Sequence, residues 1–383
     1  MHISLYTKII HQIFFENGEL FLSSLRNLSD EEKIRFIKYV SNSRLEDFVL
    51  KKIGFSNLES IFGKNKANLI RNNSINRAIR TAENKRFAYK ISQELQKKSV
   101  NHVLLKGVSI HEHFYEDYKI RPISDVDILI DQNNLEELLK ICERLNFDVS
   151  VWRGLNYKDL VVFKNPNLKH ANGFVYVDIH HELKASLFSK SNFYKKFGNH
   201  LLKNAKEINS PICSIEDCFI HCLFHGTIHS NYNVGPVFIM DMTHMVTDNK
   251  INWILVKEKI KKYNLIKEFN EIIFFLSTSN LKIDKSIEVN ISNELNFEEL
   301  KEIFMFVPEN KPIFAINSFY DIRILIKKIF LKEYIFEHNQ QKNYFKYLWK
   351  NMSKLFTNHF LKMFSDSNGN SISRKRYKLL RRD

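Results

Sequence analysis

The stretch "RPISDVDILI", Arg121 to Ile130, decides the reading of this chain. It is rich in β-branched residues, yet it carries two aspartates two positions apart. In a strand, residues i and i+2 point to the same face. Asp125 and Asp127 therefore stand side by side, while Val126, Ile128 and Ile130 point the other way into a core. Two adjacent like charges repel unless something positive lies between them.

The residues around this strand predict a compact αβ unit. Upstream, in "SVNHVLLKGVSI", Val103, Leu104 and Leu105 form a short strand that ends at Lys106-Gly107. The next segment, with Ile110 and Phe114, has helical spacing. Downstream, "NNLEELLKICERLNF" predicts an amphipathic helix with Leu135, Leu138, Leu139, Cys142 and Leu145 on its apolar side. "LVVF" (160–163) and "FVYVDIHHEL" (174–183) predict further strands. In the latter, Val175, Val177 and Ile179 alternate with Tyr176, Asp178 and His180, so Asp178 faces away from the core.

If the two acidic strands are neighbours, three carboxylates converge on one surface. Divalent cations offset such a cluster, and Mg²⁺ favours oxygen ligands from a few carboxylates, water and substrate phosphates. Two ions bridged by aspartates organise an in-line phosphoryl or nucleotidyl displacement. A glycine after a strand lets a triphosphate approach the backbone, where the next helix offers unpaired N–H groups. Lys106 adds a compact positive charge for phosphate oxygens. A lone D-x-D is weak evidence. The Lys-Gly strand end, Arg121 and the third strand aspartate give it weight.

These residues resemble a known family. "LLKGVSIHEHFYEDYKIRPISDVDILI" (104–130) looks like the signature of a large, mostly uncharacterised bacterial nucleotidyltransferase family within the DNA polymerase β-like superfamily. The pattern falls on Leu105, Lys106, Gly107, Tyr115, Arg121, Asp125, Val126 and Asp127, and its third element on Asp178 and His180. The resemblance covers about residues 100–260 well. It implies an α+β fold: a small mixed-sheet nucleotidyltransferase core flanked by N- and C-terminal helical regions. It further implies that Asp125, Asp127 and Asp178 form the catalytic and metal-binding triad for two Mg²⁺ (or Mn²⁺) ions. Lys106 and Gly107, with Arg121 and Ser124, would bind the nucleotide. Many superfamily members carry Gly-Gly or Gly-Ser at the strand end. Here Val108 follows Gly107 and Ser109 comes one position late, so triphosphate placement is expected to differ.

The expected activity is transfer of an NMP group from an NTP, ATP among the candidates, to a hydroxyl-bearing acceptor: a small molecule, a modified peptide or RNA. Toxin nucleotidyltransferases of abortive-infection systems share a Ser-x-Asp-x-Asp arrangement, and Ser124 here precedes Asp125. That keeps tRNA in play as acceptor. Two other readings stand beside these: a D-x-D glycosyltransferase using a nucleotide-sugar, and a non-catalytic nucleic-acid-binding protein.

Several histidines and acids have both a chemical and a structural reading. His221, His225 and His229 in "CFIHCLFHGTIH" fall four apart on one side of a helix, a spacing that suits zinc. Phe219, Ile220, Leu223 and Phe224 instead suggest a buried helix with hydrogen-bonded histidines. By the resemblance, His225 faces the active-site cleft and touches substrate. His180 shares the face of Asp178 and reaches an acceptor or a phosphate, or else ends its strand in solvent. His181 points the opposite way, and Glu182 is a spare carboxylate or a solvated strand end. Asp241 lies in the apolar "FIMDMTHMV" and needs a partner, so it is expected to anchor a contact between domains.

The rest of the chain sets the frame. Its 383 residues allow two or three domains, and 44% hydrophobic with 26% charged residues describes a globular chain. Ten Gly and six Pro against 32 Phe favour helices over a sandwich or barrel. The predicted division is an N-terminal helical region (1–98), a nucleotidyltransferase core (99–185), a C-terminal helical region (186–365) and a basic tail (366–383). Ser29 and Glu32 form a capping-box signature, and Phe87, Ile91 and Leu95 share one face of a long helix. The net charge of +15 suits an anionic partner, but basic residues are scattered as a compositional habit would scatter them. The tail "RKRYKLLRR" (374–382) could bind RNA phosphates or form a solvated end. No apolar run reaches the roughly 18 residues of a membrane span, and no signal-peptide pattern opens the chain. A cytoplasmic protein with no membrane partner is expected, its four cysteines outside any disulfide framework.

Overall fold

The computed structural model describes residues 2–16, 18–117, 120–153, 167–181, 183, 193–230, 232, 234–287 and 296–305. The predicted strand at 160–163, Glu182 and the basic tail lie outside them.

Before the sheet, the chain forms α1 (His2–Phe15), α2 (Gly18–Arg26), α3 (Asp30–Ser43), α4 (Glu46–Ile53), α5 (Phe55–Phe62) and the 34-residue α6 (Lys64–Lys97). Ser29 caps α3 through the reciprocal box with Glu32 that the sequence signalled. At 1.5 Å rise per residue, α6 is about 50 Å long, enough to serve two layers. Ala67 and Ile70 join the core of the N-terminal helices, while Phe87, Ala88, Ile91 and Leu95 pack on the sheet.

The sheet is built from β1 (His102–Leu104), β2 (Val126–Ile130), β3 (Phe147–Asp148), β4 (Leu168–His170) and β5 (Tyr176–His180), in the order β1-β2-β5-β4-β3. β2 and β5 are parallel, and the other pairs are antiparallel. α7 (Gly107–Phe114) joins β1 to β2, α8 (Leu135–Arg144) joins β2 to β3, and the short α9 (Ser150–Arg153) follows β3. The protein is thus α+β, a mixed sheet with helices before and after it.

Strand alternation sorts the two faces. Val126, Ile128 and Ile130 of β2 and Val177 and Ile179 of β5 are buried under α6 and α8, which contribute Leu135, Leu138, Leu139 and Cys142. On the other face, Val103, Leu105 and Leu129 belong to a second apolar cluster. That cluster contains residues of α10 (Phe193–Ile208), α11 (Ile215–Phe224), α12 (Pro236–Thr247), α13 (Trp253–Lys262), α14 (Ile266–Thr278) and α15 (Phe297–Met305).

The same cluster includes Tyr6, Phe36 and Phe48 of the N-terminal helices, so both flanks of the chain share one core. Hydrogen bonds tie them further: His11 to Ser279 at 2.9 Å, and the Tyr39 hydroxyl to the Met305 carbonyl. All four cysteines are buried free thiols. Among the described residues, no helix is long and apolar enough to cross a membrane.

Candidate active site

The parallel pairing of β2 with β5 sets Asp127 directly opposite Asp178, and Leu129 opposite His180. Both carboxylates are buried, Asp127 at 2% exposure and Asp178 at 7%. His180 Nε2 lies 2.9 Å from Asp127 Oδ1 and 3.8 Å from Asp178 Oδ2. The cation that the sequence called for is present in the chain itself: Lys106 Nζ sits 2.5 Å from Asp127 Oδ1.

Charge follows this geometry. Burial alone would push the Asp127 carboxyl up, but Lys106 and His180 outweigh it and hold the group well below the usual carboxylate range. Burial likewise opposes the charged form of Lys106, and Asp127, Asp178 and Asp125 together raise its ammonium above the ordinary value. Asp125 is shifted upward by burial first and by the neighbouring Asp127 second.

Lys106 occupies a costly backbone position. It caps α7 with φ 45° and ψ −119°, a region that side-chain-bearing residues rarely adopt. Gly107, next along, has no room for a side chain. A Cβ there would meet Arg121 Nη1 at 2.7 Å and Ile123 Cγ2 at 3.2 Å. The glycine expected to admit a triphosphate therefore also admits Arg121.

Asp127, Asp178 and His180 present ligand atoms within 4.8 Å of one another, the group among the described residues able to hold a metal ion. Two hard carboxylates suit Mg²⁺ or Mn²⁺, so the donor set fits a divalent cation. Its membership differs from the expected aspartate triad. Asp125, just before β2 begins, lines an adjacent cavity with Arg44, Arg77 and Arg80.

The other expected site residues are placed as follows. Arg121 was expected at the nucleotide, but its Nε and Nη2 donate to Asp241 Oδ1 and Oδ2 at 3.1 and 3.0 Å. The Tyr115 hydroxyl donates to the same carboxylate at 2.9 Å. Asp241 thus has its partner, joining α12 to the loop before β2. The Ser124 hydroxyl accepts from Arg44, and its carbonyl accepts from Arg80 Nη2 at 2.9 Å.

The zinc reading of the three histidines is overturned. They do not gather into a metal-holding group, which among the described residues is Asp127, Asp178 and His180. α11 gives way to a π-helical turn over His225–His229, and the rings stay neighbours along it, with centroids 6.3 and 5.1 Å apart, without bringing three ligand atoms together. Gly226 lets the Phe238 ring of α12 pack against this turn, since a Cβ there would stand 2.2 Å from it. His221 is buried and pushed down to about 3, chiefly by burial and then by Lys106. The same two causes push His225 well below its ordinary value, so both face the Lys106–Asp127 pair as neutral rings.

Sequence reasoning missed Arg44, Arg77 and Arg80. Only the last two left a signal, being three apart on one helix face.

No curated protein and no solved structure matches the chain. The model of an uncharacterised nucleotidyltransferase family matches residues 29–277, from the cap of α3 through most of α14 and across every residue of the site. On that match, the chain belongs to this nucleotidyltransferase family.

Proposed function

We propose that the protein is a divalent-metal-dependent enzyme that moves the NMP group of an NTP onto a hydroxyl-bearing acceptor. The observation that carries this reading is the pairing of Asp127 with Asp178 beside His180 and Lys106, within a chain of that family. Asp127 and Asp178 would hold Mg²⁺ or Mn²⁺, with His180 at the same position. When bound, the ion polarises phosphate oxygens and offsets charge that develops on them.

The remaining roles belong to the chain. Asp127 stays ionised because Lys106 and His180 face it. His180 holds the orientation of the Asp127 carboxylate. Asp178 takes the proton of the acceptor hydroxyl as general base. The acceptor oxygen bonds to the α-phosphorus, the α–β bridging P–O bond breaks, and pyrophosphate leaves with that bond's electrons. Lys106 neutralises charge on the departing phosphates. Asp125 lies close enough to Asp127 and Asp178 to add a third carboxylate to the field.

The test uses NTPs labelled at the α- or the γ-phosphate, Mg²⁺ or Mn²⁺, and a cell extract split into RNA, protein and metabolite fractions. The α-label should join one fraction as pyrophosphate appears, and Asp127→Asn should prevent it. Transfer of the γ-label alone, or α-label transfer that survives Asp127→Asn, would refute the assignment.

A further inference from the structure

Beside the carboxylate cluster lies a cavity of about 250 Å³, walled by Arg44, Arg77, Arg80, Ser124, Asp125 and Tyr176. We propose that this cavity is a phosphate-binding subsite, completed by the N-terminal helices, that seats the polyphosphate end of the reacting nucleotide. The naming of that nucleotide as donor rests on the nucleotidyl-transfer reading; the affinity for phosphate does not.

Three guanidinium groups converge there from two elements. Arg44 follows α3 in a left-handed conformation, with φ 60°, that turns the chain toward the sheet. Arg77 and Arg80 come from one face of α6. Among the described residues, only Arg77 has an ion-pair partner of its own, the buried Glu46 at 2.7 Å. Arg44 donates to the Ser124 hydroxyl, and Arg80 to the Ser124 carbonyl. Arg80 Nε is buried and makes no hydrogen bond, while its guanidinium lies 5.4 Å from the Tyr176 ring centroid.

The local charge is therefore out of balance. Burial pushes the Arg44 guanidinium below its ordinary value, with Asp125 opposing and Arg77, Arg121 and Arg80 adding to the shift. Among the described residues, Asp125 is the one carboxylate on the cavity wall. Like-charged guanidiniums held together with open donors are a phosphate-recognition arrangement, since the planar fork matches phosphate oxygens. Size points the same way. A pocket for a whole drug-sized ligand holds roughly 300–1,000 Å³, and this one is smaller, fit for phosphate groups without base and ribose.

Position selects the donor over the acceptor. Asp125 lines the cavity two residues before Asp127, so a bound phosphate lies next to the carboxylate cluster. The same end of β2 adjoins the Lys106-Gly107 turn, because Leu105 N donates to Asp127 O at 2.9 Å. Ser109 offers that turn no free hydroxyl, because it donates to the Leu104 carbonyl. Arginines from outside the sheet supply the donors that this turn lacks.

The experiment is calorimetric titration of the full chain with inorganic tripolyphosphate in EDTA, so that no metal bridges the ligand. The variant is Arg80→Gln, which strands no buried carboxylate, with circular dichroism to confirm its fold. The proposal predicts saturable binding, weakened tenfold or more by Arg80→Gln and by moderate salt. It also predicts that tripolyphosphate competes with a non-hydrolysable NTP. Absence of saturable binding, or binding unchanged in folded Arg80→Gln, overturns the subsite. Simultaneous binding of both ligands overturns its assignment to the donor. A protein that transfers no label yet binds tripolyphosphate through Arg80 would sink the transfer reading and leave the phosphate site standing.

Discussion

Asp241→Ala should be among the most destabilising single substitutions in this chain. The wild-type carboxylate is 2% exposed and accepts four hydrogen bonds, three from Arg121, whose Nε reaches both oxygens, and one from Tyr115. Removing it leaves a guanidinium in the interior with no counter-charge. Breaking a buried ion pair from one side costs about 3–5 kcal/mol. The stranded Tyr115 hydroxyl adds about 1–3 kcal/mol, so the expected loss is about 4–8 kcal/mol. Urea denaturation, read as the midpoint shift at constant slope, measures it. A double variant, Arg121→Met with Asp241→Leu, removes both charges and fills the volume. It should recover at least half of the loss, because the penalty comes from the unpaired charge rather than from the absent pair. If Asp241→Ala stays within about 1 kcal/mol of wild type, or if the double variant loses the sum of the singles, Arg121 is not an internal strut. Its assignment to the nucleotide would then return.

Other outcomes follow from the same packing and charge. Gly226→Ala drives a methyl into the Phe238 ring and should cost about 1–3 kcal/mol or more by thermal denaturation. His111 and His221, lowered by burial to about 4 and about 3, bind fewer protons folded than unfolded. Their contribution is complete above pH 6.5 and is lost as the pH falls below it, so the melting temperature should drop between pH 6.5 and 4. A melting temperature flat across that window would contradict the burial of both rings. Burial opposes ionisation of Asp217, but His200 and Lys259 hold the carboxyl down to about 2. That contribution is present above about pH 4 and lost toward pH 2, a second acid step that Lys259→Met should reduce.

What the sequence made legible was what short-range pattern encodes. Alternation in "DVDILI" and "FVYVDIHHEL" assigned the buried and the acidic faces of β2 and β5. The Ser29–Glu32 pair marked the start of α3, and the spacing of Leu135, Leu138, Leu139 and Cys142 gave α8 its buried side. The need of Asp241 for a partner was also readable, because a buried acid must be satisfied. Its identity was not, since Arg121 lies 120 positions away and nothing local marks the pair. Arg121 and Ser124 looked nucleotide-facing because they precede the D-x-D. Tertiary packing pairs Arg121 with Asp241, while Ser124 bonds Arg44 and Arg80 on the wall of the arginine cavity.

The candidate metal-holding group shows the same limit. Period-two alternation places Asp125, Asp127, Asp178 and His180 on one face, yet only three-dimensional placement takes His180 rather than Asp125 into the tight group. The spacing of His221, His225 and His229 did bring their rings together in pairs, but neighbouring rings do not make a three-ligand group.

The most direct test of the account is where a divalent ion sits. Crystals soaked in Mn²⁺ and measured near its absorption edge should give an anomalous difference peak in contact with the carboxylates of Asp127 and Asp178, and the peak should vanish in Asp127→Asn. A peak elsewhere, for example among His221, His225 and His229, or none at millimolar Mn²⁺, would contradict it.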